Sequence, residues 1–218
     1  MRSLIRTCFL LIIILSAISC DHRKRIVILE SGVNVTEKLK PFLCNNGHRS
    51  FLKGQAWNKD ETGHGTTILE VLSQKLDPNK HCILVYKTTD RKARAYEYAM
   101  ALIELQRVDF EVLLLALEDV GYFYKEIGWL DSISSRSKVV VAAGNGGVEL
   151  GNKKSCNVYP ACLIHKIDNQ KNFFVIGSND RRFNYGEIIK EKRNPNHKDQ
   201  SGTSISAARF ASELMAQD

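Results

Sequence analysis

The stretch EVLLLAL, residues 111–117, is apolar at nearly every position rather than at every second one. The stretch KVVVAA, residues 138–143, has the same character. Strands that are buried on both faces read in this way, because helices cover both sides of the sheet to which they belong. Both stretches therefore predict central strands of a parallel sheet.

Further short apolar runs alternate with longer amphipathic segments along the chain. The strand-like runs include RIVIL at 25–29, CILVYK at 82–87 and NFFVIGS at 172–178. This alternation predicts an α/β domain, in which a mostly parallel sheet has helices on both faces. In such sheets the functional crevice lies beyond the carboxyl ends of the strands.

The N-terminal segment MRSLIRTCFLLIIILSAISC has two arginines, then an apolar run, then small residues. This is the layout of a secretory signal, and the apolar run is short for a membrane span, which takes roughly 20 residues. We predict a signal peptide over 1–19, a basic tether over 20–25 and one folded domain over 26–218. A chain of 218 residues with 44% hydrophobic content is long enough to bury one sizeable core.

Two ways of processing the signal remain open, and both place the cleavage after Ser19. Ordinary signal cleavage gives a secreted protein, whereas lipoprotein-type processing places a lipid on Cys20. A single acyl chain binds membranes weakly, and the basic residues DHRKR at 21–25 would add a second attraction. Without lipid, the same residues form a solvated tail. The expected location is secreted or membrane-anchored on the extracytoplasmic side.

Several partner classes are disfavoured by the sequence. The formal net charge is +7, but the basic stretch KEKRNPNHK at 190–198 lacks the interleaved aromatic residues of a groove for single-stranded nucleic acid. The glycine-rich stretches GHGTTI and GNGGVE lack the lysine of a phosphate-binding loop, and neither a CxxC pair nor an HExxH motif occurs. We therefore predict no nucleic-acid partner, no metal and no cofactor.

Four cysteines remain after Cys8 and Cys20 are set aside, namely Cys44, Cys82, Cys156 and Cys162. An even number in an exported chain predicts disulfides, and four cysteines allow three pairings. The pair Cys156 and Cys162 is favoured because only five residues separate its members.

Four polar residues stand where a catalytic site could form. Glu30 ends the first strand, His64 lies between glycines at a predicted helix start, Asn145 follows the strand at 138–143, and Ser204 lies in the first turn of the last helix. Carboxylate, imidazole, amide and hydroxyl are the parts of acyl transfer: orienting group, general base, oxyanion donor and nucleophile.

Each of these residues also has an ordinary explanation. Ser204 could cap its helix, Asn145 could be a turn residue, and His64 could be a histidine at a helix start with no further role. Polar residues such as Glu30 also mark the exit of a buried strand. Their joint occurrence in this order favours a functional site.

The sequence resembles the subtilisin family of serine peptidases. The chain order carboxylate, histidine, serine is the subtilisin order. VILESGV at 27–33 resembles the strand that ends in the family's Asp-Ser/Thr-Gly, GHGT at 63–66 its histidine motif, AAGN at 142–145 its oxyanion asparagine, and GTSISAA at 202–208 its nucleophile motif. The similarity covers about residues 25–215.

The resemblance implies a subtilisin-like peptidase domain over 26–218 that hydrolyses peptide bonds in peptide or protein substrates. Ser204 would attack the carbonyl carbon and His64 would take its proton. Glu30 would orient the imidazole, and the Asn145 side chain with the Ser204 N–H would hold the oxyanion.

The chain departs from the family pattern at two parts of this site. Glu30 stands where the family has Asp, so the orienting carboxylate is one methylene longer. Ala116, Leu117 and Glu118 stand where the family typically has Ser-Leu-Gly along the bound substrate. A side chain replaces that glycine, so the specificity pocket is expected to be narrower or acidic, and Glu118 would favour basic substrate residues if the pocket is open.

Two features of length also suggest a minimal and divergent member. The first strand follows the signal directly, which leaves no room for a pro-segment, and the sequence ends 14 residues after Ser204. Two hypotheses follow: a subtilisin-like serine endopeptidase, or a catalytically degenerate protein of the same fold that binds peptides or partner proteins. The presence of His64, Asn145 and Ser204 together favours the first.

Overall fold

The computed structural model describes residues 21–92, 94–117, 124–151 and 156–217. The predicted signal peptide, the candidate lipidation site Cys20 and the candidate substrate-binding residue Glu118 lie outside the described residues. Within those ranges, no helix combines the length and the apolar character needed to cross a membrane.

Seven strands form one parallel sheet in the described part of the chain, in the order β2-β3-β1-β4-β5-β6-β7. The strands are β1 (Lys24–Glu30), β2 (Arg49–Ser50), β3 (His81–Lys87), β4 (Val112–Leu115), β5 (Lys138–Ala142), β6 (Phe173–Gly177) and β7 (Ile189–Lys192). A separate antiparallel hairpin joins β8 (Asn196–His197) to β9 (Gln200–Ser201). The predicted parallel sheet is confirmed.

Helices cover both faces of the sheet, as predicted. They are α1 (His64–Ser73), α2 (Ala95–Leu105), α3 (Tyr124–Ser134) and α4 (Thr203–Ala216), and short 3-10 turns span Lys40–Phe42, Ala161–His165 and Gln170–Asn172. Buried side chains of α1 and α4 belong to one apolar cluster, and those of α2 and α3 belong to the other.

Strand β1 is an inner strand of the sheet, between β3 and β4, and both of its faces are covered, which is why its sequence does not alternate. Ile26 and Ile28 face the α1 and α4 cluster, whereas Val27 and Leu29 face the α2 and α3 cluster, and all four side chains are fully buried. Burying each such side chain stabilises the fold by about 1.5–3 kcal/mol. The carboxyl end of β1 is thereby fixed on both sides.

The start of β1 includes residues that the sequence assigned to a basic tether. Lys24 and Arg25 are the first two residues of the strand. Arg23 forms an ion pair with Asp21 at 2.7 Å and donates to the backbone oxygens of Pro41 and Leu43. These residues are therefore part of the folded domain rather than a free basic tail.

Two disulfides join the four remaining cysteines, Cys44 to Cys82 and Cys156 to Cys162. The favoured pairing of Cys156 with Cys162 is confirmed. Asp21 lies near the first disulfide in a group that has the spacing of metal ligands, but both sulfurs of that group are already bonded to each other.

The order of the strands reverses at β1. Strand β3 pairs with one edge of β1, and the chain then returns so that β4 pairs with the other edge of β1. A crevice opens beyond the carboxyl ends at such a reversal. Glu30, at the end of β1, and Ala116, just after β4, flank this crevice.

A buried acid links α2 and α3, which cover the face of the sheet opposite to α1 and α4. Glu126 of α3 is 0% exposed, and its Oε1 accepts a hydrogen bond of 2.7 Å from the Tyr98 hydroxyl of α2. Its Oε2 has no hydrogen-bond partner among the described residues. Burial raises the pKa of Glu126 from its ordinary value of 4.5 to about 7.

This burial predicts a pH-dependent loss of stability. Between pH 4.5 and about 7 the folded state holds a proton on Glu126 that the unfolded state releases, so the free energy of unfolding falls as the pH rises through this window. Glu126→Gln keeps the shape and the acceptor for Tyr98, and we expect it to stabilise the protein at pH 8 by up to roughly 3 kcal/mol.

Urea unfolding at pH 5 and pH 8 measures the effect. Glu104→Gln is the matched control, because Glu104 also accepts from a tyrosine hydroxyl, that of Tyr86, but is partly exposed. The control should retain the pH dependence of the wild type. An equal fall in stability for Glu126→Gln and the wild type would contradict the prediction.

Candidate active site

Glu30 presents a buried carboxylate to the crevice. It is the last residue of β1 and is 2% exposed. Its Oε2 accepts from His64 Nδ1 at 2.9 Å and from the backbone N–H of Ser31 at 3.2 Å. The additional methylene of glutamate is therefore compatible with a direct hydrogen bond to the imidazole.

The second oxygen of this carboxylate is less well accommodated. Glu30 Oε1 is buried and has no hydrogen-bond partner in the described ranges. Leaving a buried acceptor unsatisfied costs about 1–3 kcal/mol, and more for a charged group. The site therefore retains a carboxylate whose cost is only partly offset by local contacts.

Two glycines allow α1 to approach β1. A Cβ atom at position 65 would lie 2.1 Å from the carbonyl oxygen of Gly32 and 3.1 Å from Glu30 Cβ. Gly63 precedes the helix in the left-handed region at φ +77°, where an L side chain is unfavourable. The motif GHG thus has a geometric reason, since it places His64 directly against Glu30.

His64 combines a partly exposed ring with a strong electrostatic environment. Its side chain is 39% exposed. The Glu30 carboxylate raises the pKa of His64, burial opposes this effect, and the nearby charge of Asp60 raises the pKa further. A raised pKa makes the neutral imidazole a stronger base.

Ser204 is the second residue of α4 and is 7% exposed. Its Oγ donates to the carbonyl oxygen of Ala116 at 3.0 Å. Among the described residues, no hydrogen bond joins Ser204 to His64. The N-cap of α4 is Gly202 rather than Ser204, so capping does not explain this serine. Its backbone N–H lies in the first turn, where donors lack an acceptor within the helix.

Asn145 follows β5 and contacts the beginning of α4. Its Oδ1 accepts from the backbone N–H of Thr203 at 2.9 Å. A Cβ atom at Gly202 would lie 3.3 Å from this oxygen, so the glycine allows the amide to pack against the helix start. The Asn145 amide therefore lies against Thr203, the residue that precedes Ser204.

A cavity of about 330 Å³ adjoins His64 and Glu30. Ala116 and Leu117, which the resemblance to the subtilisin family placed along a bound substrate, line one side of it. Residues 88–92 and Arg94, from the segment after β3, line another side and contribute several charged side chains. This cavity lies at the crevice where the strand order reverses.

The structure also places Asp60 and Ser31 in the site, and the sequence analysis did not single out either residue. Asp60 is 7% exposed and bonds the Ser31 hydroxyl at 2.8 Å. The sequence signal was present, because Asp60 stands four residues before His64 and is followed by Thr62 and Thr66. Short polar residues around an aspartate are typical of a loop that this carboxylate braces.

The contact between Glu30 and His64 predicts a change in titration. Glu30→Gln keeps the side-chain length and removes the charge, so we expect the pKa of His64 to fall, because the opposing effect of burial remains. NMR titration of the histidine ring protons measures this shift.

Glu70→Gln is a suitable control for that titration. Glu70 lies on the same helix as His64 but pairs with His197 and Lys198. This variant should leave the titration of His64 unchanged. A His64 pKa that is the same in Glu30→Gln and in the wild type would show that the carboxylate does not act on the ring.

Comparisons with known proteins find similarity in structure. No protein-family model and no curated protein matches the sequence. A solved lanthipeptide protease superposes with a TM-score of 0.70 at 16% identity, covering 88% of this chain and 72% of that chain. A cold-adapted subtilisin-like serine proteinase gives 0.70 at 17% identity, covering 91% and 77%. The epidermin leader peptide processing serine protease of Staphylococcus aureus gives 0.65 at 15% identity, covering 89% and 65%. The chain therefore has the fold of the subtilisin-like serine proteases.

Proposed function

We propose that this protein is a serine endopeptidase that uses Ser204, His64 and Glu30 as its triad, with Asn145 in the oxyanion hole. The hydrogen bond of 2.9 Å between His64 Nδ1 and Glu30 Oε2 carries the proposal. A free-standing histidine at a helix start needs no buried carboxylate, whereas a general base that becomes charged during the reaction does. The protease fold supports the same reading.

In this reaction Ser204 Oγ forms a bond to the substrate carbonyl carbon, and its proton passes to His64 Nε2. The carbonyl oxygen becomes an oxyanion, for which the Asn145 amide and the Ser204 backbone N–H are the donors. His64 then protonates the leaving amine as the peptide bond breaks. Water then attacks the acyl-enzyme through the same steps and releases the acyl group. The Glu30 carboxylate stabilises the imidazolium in both halves of the reaction.

The resting position of the serine hydroxyl requires one rearrangement. Ser204 Oγ donates to the Ala116 carbonyl, so it must rotate towards His64 before it can attack. Catalytic hydrogen bonds are often loose without substrate and tighten in the complex. The same observation favours the second candidate, a subtilisin-like fold that binds peptides in the cavity and does not cleave them.

An extracytoplasmic location is part of the proposal. The two disulfides are typical of oxidising compartments. The predicted signal over 1–19 would direct export, and a lipid on Cys20 would hold the domain at a membrane. Peptide or protein substrates would enter at the cavity beside His64.

Labelling with a serine-reactive phosphonate separates the two candidates. We expect the mature wild type to gain one phosphonyl group on Ser204 and Ser204→Ala to gain none. His64→Ala should react more slowly by about 10²- to 10⁴-fold, the usual contribution of a general base. Mass spectrometry after timed exposure measures both outcomes.

Ser201→Ala is the control variant for the labelling, because Ser201 is an exposed serine three residues before Ser204. It should label like the wild type. A correctly folded wild type that does not react would exclude the peptidase and leave the peptide-binding candidate.

Glu30→Asp tests the length of the orienting carboxylate. Glu30 Oε2 already lies 2.9 Å from His64 Nδ1, so a shorter side chain withdraws the acceptor unless the backbone moves. We expect kcat/KM on a fluorogenic peptide to fall on the order of 10- to 100-fold, since a misplacement of about 1 Å can cost that much.

Glu70→Asp is the matched change on α1, and it should leave kcat/KM close to that of the wild type. A higher kcat/KM for Glu30→Asp would mean that glutamate is a compromise in a site built for aspartate.

A further inference from the structure

We propose that Asp60 is a positioning residue of this site, whose carboxylate fixes the geometry between Glu30 and His64 by tying the end of β1 to the start of α1. The inference rests on the proposed peptidase function. It goes beyond the triad, because Asp60 touches neither the nucleophile nor the substrate cavity.

One oxygen of Asp60 gathers the loop that precedes His64. Oδ1 accepts from the backbone N–H groups of Thr62 at 3.1 Å and Gly63 at 3.0 Å. The Thr62 hydroxyl lies 3.0 Å from the same oxygen and also accepts from the backbone N–H of His64 at 3.1 Å. The backbone just before His64 is therefore bonded to this carboxylate directly, and the His64 N–H is linked to it through the Thr62 hydroxyl.

The other oxygen of Asp60 holds the first turn of α1. Oδ2 accepts from the Thr66 backbone N–H at 2.8 Å and from the Thr66 hydroxyl at 2.7 Å. The Thr66 hydroxyl in turn accepts from the backbone N–H of Asn34 at 2.9 Å. An anion near a helix N-terminus is stabilised by the helix dipole as well as by these donors. Asp60 thus fixes the helix on both sides of His64.

Ser31 links the same carboxylate to Glu30. Its hydroxyl donates to Asp60 Oδ1 at 2.8 Å and accepts from the backbone N–H of Gly65 at 3.2 Å. Its backbone N–H donates to Glu30 Oε2 at 3.2 Å. Glu30 Oε2, which accepts the hydrogen bond from His64 Nδ1, also accepts from the backbone N–H of Ser31. The Ser31 hydroxyl in turn is bonded to Asp60.

Asp60 is itself held in place by Asn34. The Asn34 amide accepts from the Asp60 backbone N–H at 3.1 Å and donates to the Asp60 carbonyl at 2.9 Å. A carboxylate that is anchored in this way and 7% exposed loses little freedom when it binds its donors. Asp60 can therefore determine the positions of the groups that it bonds, rather than move with the loop.

The charge of Asp60 distinguishes a positioning role from a simple loop brace. Its negative charge acts on His64 in the same direction as that of Glu30 and raises the pKa of the ring. The other charged groups at this site, Asp90, Arg91, Lys92 and Arg94, line the cavity from the loop after β3. Removing Asp60's charge therefore changes the ring's titration, whereas loosening a loop alone does not.

Asp60→Asn is the direct test. The asparagine amide nitrogen is itself a donor and would face the N–H donors that the Asp60 carboxylate accepts, so hydrogen bonds of this network are lost. We expect kcat to fall on the order of 10- to 100-fold, with KM within roughly threefold of the wild type. We also expect the pKa of His64 to fall, so that the acid limb of the kcat/KM profile moves to lower pH.

The control is Asp131→Asn. Asp131 of α3 likewise accepts backbone N–H groups, those of Asp168 and Asn169, but it lies at the amino end of the sheet. It should lower the unfolding midpoint and leave kcat and the His64 titration unchanged. If Asp60→Asn behaves in the same way, Asp60 is a structural brace and the proposal is wrong.

Ser31→Ala provides a second test if Asp60→Asn does not fold, because it leaves the contacts of Asp60 with α1 intact. We expect kcat to fall roughly 3- to 10-fold and the His64 Nδ1 proton resonance to broaden. An unchanged kcat and resonance would overturn the proposal. The NMR measurements do not need turnover, so a wild type without peptidase activity would refute the proposed function and still allow the positioning role to be judged.

Discussion

The hydrogen bond between His64 and Glu30 is the interaction on which the site depends. This hydrogen bond needs a buried carboxylate, because burial strengthens the effect of its charge on the imidazole. The carboxylate belongs to the last residue of β1, so the strand must be held in place to its end. Strand β1 meets this need because β3 and β4 flank it and apolar clusters cover both faces. It also needs a helix start that comes within bonding distance, which the missing side chain of Gly65 allows. The rigid end of β1 and the position of His64 against Glu30 therefore have one common origin.

Much of the fold could be predicted from the sequence because its strongest signal is local. The uninterrupted apolar runs at 111–117 and 138–143 indicate strands covered on both sides, and the alternation of strand and helix indicates a parallel sheet. The pair Cys156 and Cys162 could be favoured because the two residues are close in the chain. Joining Cys156 to Cys162 leaves Cys44 to pair with Cys82, although these two residues are 38 positions apart and no local pattern indicates their contact.

The contacts within the site were less predictable because they depend on residues far apart in the chain. The sequence singled out Glu30, His64, Asn145 and Ser204, and the structure places them beyond or at the carboxyl ends of the strands. The acceptor of the Ser204 hydroxyl is 88 residues away, and no local pattern indicates it. Asp60 was missed because a polar loop with threonines reads as an ordinary turn until its carboxylate is seen to bond both β1 and α1.

The two disulfides have a consequence for the mechanics of the molecule. All four bonded cysteines belong to the apolar cluster on the side of α2 and α3. The helices that carry His64 and Ser204 belong to the opposite cluster, which in the described ranges has no covalent cross-link. The α2 and α3 side is therefore covalently cross-linked, and the α1 and α4 side is held by packing and by hydrogen bonds such as those from Asp60 to Thr66. In the proposed peptidase, we therefore expect a movement that admits a peptide to occur on the α1 and α4 side, while the cross-linked side keeps its shape.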